Sequence, residues 1–78
     1  MKLSQIPLDK QAIITKIDIP NQEVKSRLED FGLRIGQTIS CVKKTPLGGP
    51  KAFLLSHGIF AIDLEITKHV EIQIEDTQ

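Results

Sequence analysis

The sequence predicts a mostly β fold with one short α-helix, arranged as a small, partly open β-barrel. Three observations carry this expectation. Short runs that are β-branched or alternate apolar with polar residues follow one another across close turns, the pattern of a meander. One stretch, "NQEVKSRLEDF", instead repeats its apolar residues at helical spacing. The chain has 78 residues, 40% of them hydrophobic and 26% charged, which suffices for one modest core.

In chain order, "MKLSQIPLDK" is expected to form a cap that ends in a turn at Leu8-Asp9-Lys10, before a first long strand in the β-branched run "QAIITKIDI". A helix start follows, with Asn21 as N-cap or Pro20 in the first turn, and Glu23 placed favourably for the helix dipole. Val24, Leu28 and Phe31 fall at i, i+4 and i+7, one apolar stripe suited to packing on a sheet. Gly32 is expected to end this helix as the C′ residue at positive φ, letting Leu33 touch Leu28 in a Schellman-type contact.

Gly36 is the turn glycine ahead of "QTISCVKK", a strand with Ile39 and Cys41 on one face and Ser40 on the other. "TPLGGP" is a loop, "KAFLLS" a strand, "SHG" a tight turn containing Gly58, and "IFAIDL" another strand. "EITKH" is a short helical or turn segment. In "VEIQI", Val70, Ile72 and Ile74 point inward and Glu71 and Gln73 outward.

Composition excludes several functions. A formal net charge of zero and pI near 6.7 do not suit a protein that grips phosphate backbones, and the only aromatics are three Phe, which gives no base-stacking platform. No apolar run approaches the roughly 18 residues of a membrane helix, so no direct membrane insertion is expected. The single cysteine, Cys41, has no disulfide partner within the chain, and with no signal-peptide pattern the expected compartment is the cytoplasm. Gly32-x-x-x-Gly36 lies among charged residues, which rules out a membrane dimerisation motif, and its spacing also fails the phosphate-loop pattern.

Chemistry-bearing residues are sparse. Cys41, His57 and His69 stand singly and not in ligand-spaced pairs, so no metal site or bound cofactor is expected beyond a weak surface association of Fe(II) or another divalent ion with a His and a carboxylate. No catalytic residues are expected, because a Cys41 or Ser nucleophile would need a His base and a cleft in a domain with little room for one. Leu47 is the exception among the apolar residues, lying between two prolines with little nearby sequence to bury it. It either forms a contact surface or tucks onto the barrel's open end.

Taken together, "KLSQIPLDKQAIITKI", the helix ending "RLEDFGLRIG", the "TPLGGP" loop and "GIFAIDLEITKHVEI" occur in an order and at a spacing that resemble the FeoA family of small cytoplasmic proteins accompanying the ferrous iron transporter FeoB. The resemblance implies one SH3-like barrel over residues 1–75, with 76–78 as a polar tail. It also implies a non-enzymatic, transition-metal-related role, assisting or regulating ferrous iron uptake by contacting the cytoplasmic G-protein domain of FeoB. On that reading the partner-binding residues are those of the glycine turn and the Pro-Gly loop: Arg34, Gly36, Pro46, Leu47, Gly48 and Lys51. Gly32, Gly36 and Gly58 are structural turns. An exposed strand edge would permit weak homo-oligomers.

Departures from the family pattern are Asp63, where Arg is favoured after the Ala61-Ile62 pair, Thr67, where Ala is frequent, and Leu8-Asp9-Lys10, where Gly is common. Two alternatives come from other classes. The same fold resemblance extends to the SH3-like domain of DtxR-type metal-dependent regulators, which would add a DNA-reading helix pair that this sequence lacks. A small RNA- or ribosome-associated barrel would need a basic face.

Overall fold

The computed structural model describes residues 1–75; the polar tail expected at 76–78 lies outside them. The chain forms five strands, β1 (Gln11–Ile17), β2 (Thr38–Lys43), β3 (Lys51–Leu55), β4 (Gly58–Ile62) and β5 (Val70–Ile74), with α1 (Gln22–Asp30) between β1 and β2 and α2 (Leu64–Thr67) between β4 and β5. Single 3-10 turns occupy Leu3–Gln5 and Pro46–Gly48. The strands pair antiparallel in the order β4-β3-β2-β1-β5. Among the described residues no ladder joins β4 to β5, so the barrel is only partly closed.

Alternation sets the inner face. Ile39 and Cys41 on β2, Phe53 and Leu55 on β3, and Val70 and Ile72 on β5 are all buried, each two residues from the other as the pleat requires. Curvature comes from register shifts at Ile14/Lys16 between β1 and β5 and at Cys41/Lys43 between β2 and β3. The extra residue at each, Thr15 and Val42, is exposed while its strand bends, the usual geometry of a bulge. The N-terminal segment is more than a cap. Leu3 and Ile6 have no exposed surface, the Ile72 N–H donates to Met1 O at 2.8 Å, and the Asp9 N–H donates to Cys41 O at 2.8 Å.

The helix starts and stops as local chemistry dictates. Asn21 Oδ1 accepts from the Val24 N–H at 3.1 Å, satisfying one of the first-turn donors. At the other end the Gly32 N–H donates to Glu29 O (3.1 Å) and the Leu33 N–H to Leu28 O (2.9 Å), the paired bonds of a Schellman motif, with Gly32 at φ +109°. Leu28 and Leu33 both enter the core, while Phe31 stacks on Phe60 of β4 at 4.3 Å between ring centroids.

Two boundaries differ from the sequence expectation. The β4 strand begins at Gly58 and ends at Ile62, because the Asp63 carbonyl accepts from the Ile66 and Thr67 N–H groups and so opens α2. The hairpin before it keeps Ser56 and His57 at negative φ and places the left-handed conformation on Gly58 (φ +135°).

Gly32 and Gly36 make opposite packing demands. A Cβ on Gly32 would collide with Ser56 Oγ and meet Ser56 N at 3.2 Å, whereas one on Gly36 (φ +90°) would meet nothing within 4 Å. Gly32→Ala is therefore expected to lower stability by about 2 kcal/mol or more, from unfavourable φ plus a clash, and Gly36→Ala by about 1 kcal/mol, from φ alone. Urea unfolding of the two variants side by side measures the difference; equal losses would remove the clash from the account.

Candidate partner-contact site

The Pro-Gly loop is the most distinctive surface feature. Pro46 pre-sets a helical φ at the first position of the 3-10 turn, after which Leu47 (φ 63°, ψ 29°) and Gly48 (φ 73°) both adopt left-handed conformations. Thr45 Oγ1 donates to Pro50 O at 2.7 Å and clips the two ends of the loop together. Leu47 stands at the apex with its side chain fully exposed, at 105%. The alternative in which it folds back over the barrel's open end is thereby excluded.

The base of this loop is tied down. Lys51 Nζ donates to Ser4 O at 2.7 Å, which spends its ammonium on the N-terminal 3-10 turn, and the Gly48 Cβ position lies 3.7 Å from Leu64 Cδ2 of α2. Pro46, Leu47, Gly48 and Lys51 thus form one neighbourhood with Ser4 and Leu64.

Arg34 and Gly36 lie elsewhere. Arg34 Nε donates to Glu29 O at 3.2 Å, and the Gly36 N–H donates to Ile14 O at 2.8 Å, anchoring a turn that leaves Ile35 exposed. This turn precedes the start of β2, while the Pro-Gly loop follows its end. A strand of that length spans on the order of 15–20 Å. The structure therefore separates the sequence-derived contact residues into two surfaces at opposite ends of β2.

One feature is not legible in the sequence. A groove of ≈ 390 Å³ runs between α1 and the β4–α2 segment, with Val24, Leu28 and Phe31 on one wall, Ala61, Ile62 and Ile66 on the other, and Arg27 and Asp63 contributing charge. It arises from packing between lining residues thirty or more positions apart, so no local pattern announces it.

The metal-ligand candidates stay apart. Cys41 is fully buried with Sγ 3.7 Å from Lys43 O, His57 Nδ1 donates to Asp30 O at 2.9 Å, and His69 is exposed. Among the described residues no three His, Cys, Asp or Glu side chains come together as a metal site would require, and no helix is long and apolar enough to cross a membrane.

The Thr45 clip makes a checkable statement about the loop. Thr45→Val is expected to leave global stability within about 1 kcal/mol of wild type, because an exposed hydrogen bond contributes little. Fast backbone motion at residues 46–49 should increase, as measured by amide nitrogen relaxation; unchanged order parameters would show that the prolines alone hold the loop.

A family model described as the FeoA domain matches residues 1–74. No curated protein matches the sequence significantly. Among solved structures, the chain is similar to Stenotrophomonas maltophilia FeoA complexed with zinc, described as a prokaryotic SH3 domain protein and suggested as a ferrous iron transport activating factor. The two share 28% identity over 94% of this chain and 89% of that one, with a TM-score of 0.78. It is also similar to the FeoA protein of Chlorobium tepidum, at 24% identity over 95% of this chain and 70% of that one, TM-score 0.86. A manganese-dependent transcriptional repressor shares the fold alone, with 5% identity over 95% of this chain and 40% of that one, TM-score 0.81.

Proposed function

The chain belongs to the FeoA family, and from that premise we propose that it is a non-enzymatic, cytoplasmic accessory protein that assists or regulates ferrous iron uptake by contacting the transporter FeoB on its G-protein domain. The observation that carries this reading is the match of the family pattern along residues 1–74. The description of the Stenotrophomonas protein as a transport activating factor supports the same role.

The molecule is organised to suit an adaptor. Two of its irregular turns, at Arg34–Gly36 and in the Pro-Gly loop, lie on the surface at the two ends of β2. Arg34 and Gly36 on one surface, and Pro46, Leu47, Gly48 and Lys51 on the other, are the proposed contact residues. A contact confined to one of them would be small, and the modest affinity of a regulatory encounter would follow. The reading as a module of a DtxR-type regulator has the fold in its favour, through the manganese-dependent repressor. A fold shared at that level of identity carries no function with it.

The test is an anaerobic calorimetric titration into the soluble G-protein domain of the host's ferrous iron transporter, with GDP or a non-hydrolysable GTP analogue, and with or without Fe(II). Saturable binding in at least one nucleotide state is expected. In cells lacking the native copy, Leu47→Asp or Gly36→Arg is expected to reduce iron uptake while the protein remains folded. Uptake unchanged in both variants, with no binding heat in any state, would refute the proposal.

A further inference from the structure

We propose that Leu47 is a single preformed anchor that seats in an apolar pocket rimmed by carboxylates on the partner protein, with Lys43 and Lys44 meeting that rim. The inference rests on the accessory-protein reading above and adds to it the chemistry of the surface that receives this molecule.

Three observations converge on the loop. The first is exposure. Leu47 is 105% exposed, against 65% for Ile35 and 62% for Ile59, the next most exposed large apolar residues. No described residue shelters it, and a burial of this side chain on a partner would gain nearly its whole apolar surface.

The second is conformation. A non-glycine residue at φ +63° is uncommon, and Leu has no polar side chain with which to hold itself there. The surrounding structure imposes the conformation instead, through Pro46, the left-handed Gly48 and the Thr45 to Pro50 clip. An anchor held in place before the encounter does not pay for ordering at the encounter, which is how small contacts reach useful affinity. Such rigidity fits a shaped cavity. A bilayer would accept an apolar tip in any conformation, and one Leu offers far fewer carbons than a myristoyl chain, which itself binds membranes only marginally.

The third is charge. Lys43 and Lys44 directly precede the loop and are exposed, and among the described residues neither lies within ion-pair distance of a carboxylate. Lys51, which follows the loop, is turned away to Ser4 O. An apolar tip on a loop entered through two exposed lysines that make no ion pair among the described residues is complementary to an apolar pocket with an acidic edge. The lysines would steer the approach and the Leu would set the lifetime.

The experiment uses the full chain and the host's full-length ferrous iron transporter in nanodiscs of neutral phosphatidylcholine, followed by surface-based kinetics at several salt concentrations. Leu47→Asn keeps a residue type that tolerates positive φ, so the loop and the melting temperature should be unchanged while affinity falls at least tenfold, mostly through faster dissociation. Lys43→Glu combined with Lys44→Glu should slow association and flatten its salt dependence. Wild-type binding that Leu47→Asn leaves intact would overturn the anchor and leave the transporter reading standing. Failure of the wild-type protein to bind would remove the transporter reading and this partner with it. Wild-type binding to phosphatidylglycerol vesicles alone, lost in Leu47→Asn, would overturn the protein pocket in favour of a lipid surface.

Discussion

Closing the open mouths of a curled but unclosed sheet is the constraint on which the rest of this structure depends. Five short strands bury one face only if the sheet bends, and the bulges at Thr15 and Val42 supply that bend. Because β4 and β5 do not pair, the ends of the core must be covered by other segments. Leu3 and Ile6 enter from the N-terminal 3-10 turn, and Leu28 and Leu33 enter from the helix and the residue beyond its cap. The helix must therefore stop at Phe31, so that Leu33 can turn inward and Phe31 can lie flat on Phe60.

That arrangement leaves little interior for chemistry. Thr67 is a fully buried polar residue, and its Oγ1 donates to Leu64 O at 2.6 Å. Among the described residues no buried side-chain nitrogen or oxygen lacks a partner. A buried hydroxyl so satisfied costs little. Asp63 opens α2 with its backbone carbonyl and is an exposed residue lining the groove beside α1.

The Pro-Gly loop and the Arg34–Gly36 turn differ in kind. The latter is held by the Arg34 side chain donating to Glu29 O and by the Gly36 N–H donating to Ile14 O, and serves the passage into β2. The former holds a left-handed Leu between two prolines and a side-chain clip, and presents one apolar group to solvent.

The sequence alone determined whatever depends on neighbours within about one helical turn or one pleat. Asn21 capping the helix, Gly32 ending it in a Schellman motif, and the inward set Ile39, Cys41, Val70 and Ile72 all follow from bonds or alternation over a few positions. Tertiary structure decided what depends on strand order and bulge placement. It assigned Leu3 and Ile6 to the core, split the expected contact residues between the two ends of β2, built the groove between α1 and β4, and left Leu47 in solvent. Nothing within four positions of Leu47 states whether another segment will cover it, because that depends on where the rest of the chain packs.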